Sequence, residues 1–200
     1  MENRQGGRPR STQAHQAILA ATEDLLRERG YPGMSIDEVA RRAGVSKRTI
    51  YRWWPSKGAL VTEAFAGAAD QRHQDVDTGR VRDDITAYLA GLFADVARPG
   101  KTAALRSMMA EAQSDEGFAA EFVSFITGRR DVLRGMLCRG VERGEIPASA
   151  DLDVAIDFLF GLYWYRMLIG HLPLDKALAE TMADTLLQGL THTVNKPSGT

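Results

Sequence analysis

The chain has 200 residues, 44% hydrophobic and 26% charged, the balance of a globular protein long enough for one sizeable core or two small ones. The longest strongly apolar run, Phe158 to Ile169, contains Arg166 and is too short to span a bilayer, and Met1 to Arg10 lacks the apolar stretch of a secretory signal. A single cysteine, Cys138, excludes an internal disulfide and makes the cytoplasm the expected compartment.

The net charge of −1 hides an asymmetry, since residues 1–57 carry 11 Lys+Arg against 6 Asp+Glu and the remainder carries 14 against 20. A basic N-terminal quarter on an acidic body points to a polyanion at one end, although a solvated charged face has the same signature.

Residues 1–11 combine Gly, Pro and Arg without apolar periodicity, the composition of a disordered arm. Arg4, Arg8 and Arg10 read there as a solubilising tail in preference to a minor-groove contact. From Gln13 to Arg29, Ala14, Ala17, Ile18, Ala21, Leu25 and Leu26 recur at helical spacing, with Gly30 as the stop. Ser35-Ile-Asp-Glu38 fits a capping box in which Ser35 caps and Glu38 reaches back. Ile36, Val39, Ala40 and Ala43 then form a short apolar stripe ended by Gly44. Ser46 caps a helix from Lys47 to Trp54 that Pro55 stops, and Ser56 caps a fourth helix running continuously to about Arg72. Helices follow over Val81–Ala97, Lys101–Gln113, Glu116–Arg143, Leu152–Gly170 and Asp175–His192, separated by Gly, Pro and Asp turns. Sustained alternation of period two is missing throughout, so the expected fold is all-α.

Two short helices joined by a tight Gly-containing turn point to a helix-turn-helix. Ile50 and Trp54 stand four apart and can pack inward with Val45, leaving Lys47, Arg48, Thr49, Tyr51, Arg52 and Trp53 outward. An ordinary solvated helix mixes acids among its donors, yet no acid occurs between Ser46 and Gly58. Hydroxyl, cationic and aromatic side chains suit phosphates and base edges in a major groove.

On these residues the stretch from Gly33 to Leu60 resembles the DNA-binding domain of the tetracycline-repressor (TetR) family, with the resemblance specific from about Gln13 to Phe65. The resemblance implies a DNA-binding domain at 1–60 and a helical regulatory and dimerisation domain at 61–200. It implies phosphate contacts from Tyr51 and Lys57, and from Ser35 and Thr49 through hydroxyl and backbone groups. It places Lys47, Arg48, Arg52 and Trp53 toward bases, with Ser46 at the head of the same set. Trp54 falls where the family has a core Phe, so it reads as packing. The Trp-Trp-Pro run departs from the commoner aromatic-His-Phe pattern, and base preference does not transfer.

In the body, Phe93, Met108, Met109, Phe122, Phe125, Trp164 and Met167 are large, adaptable side chains suited to a pocket for a small hydrophobic ligand, though their spacing is also ordinary core spacing. A stripe of Leu178, Met182, Leu186 and Leu190, with a second of Gly161 and Tyr165, fits the four-helix dimer face that the resemblance implies. His15, His73, His171 and His192 are scattered and read as surface or helix-end residues, so neither metal nor cofactor is expected. No nucleophile triad, P-loop or dinucleotide fingerprint is present, so an enzyme is not expected. The expected function is a homodimeric repressor that binds a near-palindromic double-stranded operator and is released by a small molecule. The alternative is a helix-turn-helix regulator without an inducer, controlled by a protein partner or acting architecturally.

Overall fold

The computed structural model describes the backbone of residues 8–73 and 76–192, and among these it contains nine helices and no strand. They are α1 (Arg8–Arg29), α2 (Ile36–Ala43), α3 (Lys47–Trp53), α4 (Lys57–His73), α5 (Val81–Val96), α6 (Lys101–Ala112), α7 (Glu116–Glu142), α8 (Leu152–Ile169) and α9 (Lys176–His192). The all-α expectation therefore holds. The first helix starts earlier than periodicity predicts, taking in Arg8 to Ser11 of the expected arm. Pro9 does not prevent this, because the first backbone N–H groups of a helix have no intrahelical acceptor to lose. Arg4 and the rest of the arm's start lie outside the described residues.

The compact units are not two consecutive stretches. One comprises residues 1–70 with 99–125, the other residues 71–98 with 126–200. The expected boundary near residue 60 falls inside α4, and α6 with the first turns of α7 belongs with the helix-turn-helix.

The first unit buries Ile18, Leu25, Leu26, Val39, Ile50, Leu60, Phe65, Leu105 and Met108. Buried Lys101, at the start of α6, ties three helices together. Its Nζ donates to the Phe65 carbonyl at 2.8 Å, lies 3.2 Å from Glu23 Oε1 and stands 4.5 Å from the Phe65 ring. A buried ammonium is costly unless paired, and this one is paired on two sides. The Phe65 carbonyl is available because α4 is interrupted two residues later, where Gly67 takes φ 57° and ψ −167°. The continuous fourth helix expected from sequence is thus broken at a residue that tolerates positive φ.

The second unit is centred on Ile85, Leu89, Phe93, Leu133, Met136, Ile156, Leu159, Tyr163, Ala179 and Met182. Buried Asp84 accepts from Thr78 N and Thr78 Oγ1, both at 2.6 Å, and from Arg143 Nη2 at 3.3 Å, fastening the entry to α5. Here the expected dimer face needs correction. Leu178, Met182 and Leu186 are buried within the chain itself, and Leu190 is half-buried. The 3-4 stripe of α9 packs chiefly on α5. The same periodicity serves an intrachain core or a partner, and here it closes the core.

A forked ion pair joins the same two helices, with Arg82 Nε and Nη2 at 2.6 and 2.8 Å from the two oxygens of Asp184. The hydrogen bond from Arg82 and its charge hold the Asp184 carboxyl below its ordinary value. Because the folded value is depressed, the pair's stabilising effect is complete above the unfolded aspartate range and is lost as pH falls through the folded value. Arg82→Ala should return Asp184 to the ordinary aspartate value of about 3.9. Carboxyl-carbon NMR titration of wild type and variant checks this, and an unmoved titration would show that Arg82 does not set it.

Candidate nucleic-acid interface

The turn between α2 and α3 is built by three residues. Gly44 ends α2 at φ 67° and ψ 33°, its N–H reaching the Ala40 carbonyl, and Val45 N donates to the same carbonyl at 3.0 Å. Ser46 opens α3, its Oγ accepting from Thr49 N at 3.2 Å and lying 3.0 Å from Thr49 Oγ1. Ser35 caps α2 in the same way, accepting from Glu38 N at 3.3 Å. The Glu38 carboxylate is instead taken by Arg29 Nη1 at 2.6 Å, which ties α2 to the end of α1.

The rotation of α3 follows from its two ends. Ile50 is fully buried and Trp54 is 3% exposed, so both face the core of the first unit as expected. Trp54 leaves the helix at φ −124° and ψ 117° because the next residue is Pro55, whose ring disfavours the α region for its predecessor. Its indole Nε1 then donates to Glu63 Oε2 of α4 at 2.7 Å.

With Ile50 and Trp54 inward, Arg48, Tyr51 and Arg52 stand at i, i+3 and i+4 on the opposite face, all exposed, Tyr51 by 51%. Arg48 has no ion-pair partner among the described residues, whereas its neighbour Lys47 has one. Lys47 is also exposed, but its Nζ lies 2.7 Å from Asp37 Oδ1, and that hydrogen bond raises its pKa. Sequence carries no signal for this role of Asp37, since a pairing between neighbouring helices leaves no local pattern. Ser35 and Ser46 are exposed and Thr49 is half-buried, all three at helix N-terminal turns where backbone N–H groups point outward.

Two residues of the expected set are turned inward. Trp53 is half-buried, edge-on to His15 at 5.1 Å and to Trp54 at 5.6 Å. Lys57 is half-buried, its Nζ donating to the Tyr31 carbonyl at 2.7 Å and lying 4.0 Å from the Tyr31 ring. Burial pushes the Lys57 ammonium below its ordinary value. Tyr31 is stacked on Phe118 at 4.1 Å, and burial, followed by the Glu121 charge, pushes its hydroxyl up to about 12. His15 is likewise no free surface histidine, since it packs on both tryptophans with Nε2 3.3 Å from Glu63 Oε1.

The expected pocket residues divide between the units. Met108 and Phe122 are buried and Met109 and Phe125 half-buried in the first, where the rings of Phe122 and Phe125 lie 6.0 Å apart. Phe93 and Met167 are buried and Trp164 half-buried in the second, where Phe93 stacks on Tyr163 at 6.0 Å and Trp164 meets Tyr163 edge-on at 5.4 Å.

Comparison with known proteins places this geometry. Residues 18–64 match the model of bacterial regulatory proteins of the tetR family, and residues 75–186 match the tetracyclin repressor-like C-terminal domain. The HTH-type transcriptional regulator YdeS of Bacillus subtilis (strain 168) is 37% identical over 164 residues, which is 82% of each chain. The crystal structure of the TetR family transcription regulator SCO0332 superposes with a TM-score of 0.75 at 32% identity, over 88% of this chain and 98% of that one. FadR of Bacillus subtilis, solved in complex with stearoyl-CoA, shares the fold with a TM-score of 0.65 at 21% identity, over 87% of this chain and 98% of that one.

The turn glycine gives a direct test of the local geometry. A Cβ at Gly44 would meet nothing within 4 Å, so a substitution there pays only for its positive φ. Gly44→Ala should destabilise the protein by about 1–2 kcal/mol, and Gly44→Asn by less, because Asn tolerates the left-handed region. Thermal denaturation of the three proteins decides it. Equal midpoints would mean that the turn does not hold this conformation.

Proposed function

The chain belongs to the tetR family of bacterial regulatory proteins, and from that premise we propose that it is a transcriptional repressor, not an enzyme, which binds a near-palindromic operator as a homodimer in the cytoplasm and is released by a small hydrophobic molecule. The observation that carries the DNA reading is the exposed face of Arg48, Tyr51 and Arg52 on a helix whose rotation is set by Ile50 and Trp54. Two cations and a phenol on one face of a seven-residue helix are the donors that phosphates and guanine edges accept from. Ser35, Ser46 and Thr49 add hydroxyl and N-terminal amide donors beside it. Lys47 joins the contact set by exchanging Asp37 for a phosphate or base acceptor.

A single recognition helix reads only a few base pairs, and a symmetric dimer supplies the second half-site. The surface that best suits the dimer lies on α8. Val154, Phe158, Gly161, Tyr165 and Leu168 follow one another at steps of four and three residues, and all are exposed, Val154 by 62% and Tyr165 by 57%. This is the seam of a helix that pairs with another helix. On α9 the exposed Thr181, Thr185 and Gly189 are small enough to admit a close partner. Release by a ligand requires that it bind the DNA-incompetent state more tightly than the competent one. The fold likeness to a protein crystallised with stearoyl-CoA and the Met- and Phe-rich interiors of both units favour an apolar effector.

Binding to operator and random DNA, followed across a salt titration, tests the interface. Arg48→Ala and Arg52→Ala should each lower the salt slope by about 0.9 for a lost phosphate contact, or cost about 1–3 kcal/mol of operator preference for a lost base contact. Lys57→Ala should lower the melting temperature and leave the slope nearly unchanged, since its ammonium sits on Tyr31. If neither arginine variant changes slope or preference, the proposed face does not meet DNA.

Analytical ultracentrifugation tests the dimer. Phe158→Glu with Tyr165→Glu places charge on a surface already exposed in one chain, so it should yield folded monomer with native helix content and weak operator binding. A full-strength dimer from this variant would exclude the α8 seam.

A further inference from the structure

Behind the recognition helix, within the first unit, lies a groove of about 480 Å³ between the end of α3, the first half of α4 and the start of α7. Its volume falls in the range of small-molecule sites. Trp53, Trp54 and Phe125 contribute aromatic surface, and Glu63 and Glu121 contribute carboxylates. Its described lining contains neither lysine nor arginine, and the cation beside it is Arg52, 5.2 Å from the Trp53 ring. Glu63 is half-exposed, and its oxygens face Trp54 Nε1 and His15 Nε2. Glu121 Oε1 accepts from Ser56 Oγ, a neutral donor. Two carboxylates beside an aromatic wall give a negative, open groove, whereas the outward face of α3 carries cations.

We propose that this groove is a binding site for an organic cation, a quaternary ammonium or protonated amine bearing an apolar group. Charge complementarity selects the class. An anion would meet two carboxylates, and a neutral apolar molecule would offer them no countercharge. A cation whose charge is spread over methyl groups sheds water cheaply and is attracted to indole faces as well as to carboxylates. Trp53, the last residue of α3, would form part of its wall. The site is separate from the apolar effector proposed above except for sharing Phe125, and it does not depend on the operator reading.

The three tryptophans make the test local, because two of them line the groove and Trp164 belongs to the other unit. Phenyltrimethylammonium is titrated into the full chain while the indole N–H signals are followed by nitrogen-15 NMR, assigned with single Trp→Phe variants. Benzenesulfonate, of similar size and opposite charge, is the control. The Trp53 and Trp54 signals should shift saturably with the cation, hardly move with the sulfonate, and leave Trp164 in place. Glu63→Gln with Glu121→Gln, which keeps the acceptor oxygens for Trp54 and Ser56, should weaken the cation about threefold to fivefold for each lost charge contact. Unmoved groove indoles, a shift confined to Trp164, or equal response to both ions would overturn the proposal. An unaltered cation affinity in the double variant would overturn the role of the carboxylates, and with it the class of ligand. Should that variant fold poorly, the comparison of the two ions on wild type decides alone.

Discussion

The burial of Ile50 and Trp54 governs what the N-terminal unit can present. They stand one helical turn apart and have 0% and 3% exposure, so α3 cannot rotate without bringing a large apolar side chain into water. Burying one such side chain is worth about 1.5–3 kcal/mol. Pro55 cuts the helix directly after the second anchor, and the Trp54–Glu63 hydrogen bond of 2.7 Å carries the restraint into α4. Arg48, Tyr51 and Arg52 are outward as a consequence. The DNA-reading role proposed for α3 needs this kind of stiffness, because base contacts are geometric and a freely rolling helix loses them.

The same constraint explains why the aromatic pair splits its roles. Trp54 fills core. Trp53, one residue earlier and about 100° around the helix, settles half-buried against His15 and Trp54, with the Arg52 guanidinium 5.2 Å from its ring. Side chains around it line a groove whose carboxylates are opposite in sign to the exposed cations of α3. Lys57 shows a related economy, since Tyr31 offers a carbonyl and a ring face together and holds the ammonium that the sequence pattern directs to DNA.

In the second unit the apolar stripes of α8 and α9 serve different ends. The stripe of α9 is consumed by its own chain, with α5 as the principal neighbour. The stripe of α8 runs through Val154, Phe158 and Tyr165 and stays uncovered. A run of exposed apolar side chains of this kind is what the proposed dimer draws on, and the exposed residues of α9 are small or polar by comparison.

Local signals in the sequence determined much on their own. Most helix positions (apart from the start of α1 and the break of α4 at Gly67), the Ser35 and Ser46 caps, the Gly44 turn, the stop at Pro55, the inward pair Ile50 and Trp54 and the all-α class are set within a few residues of chain, by side-chain hydrogen bonds, backbone sterics and apolar periodicity. The acid-free run from Ser46 to Gly58 is local in the same way, and it marks α3 as the helix rich in exposed donors. Tertiary structure decided what depends on residues far apart in the chain. Asp37 pairs with Lys47, the Tyr31 carbonyl accepts from Lys57, Glu121 accepts from Ser56 and Lys101 donates to the Phe65 carbonyl. It also decided which of two equally periodic stripes is core. Periodicity states that a helix has an apolar face, but only the packed neighbours determine whether that face is covered by the chain itself or left for a partner.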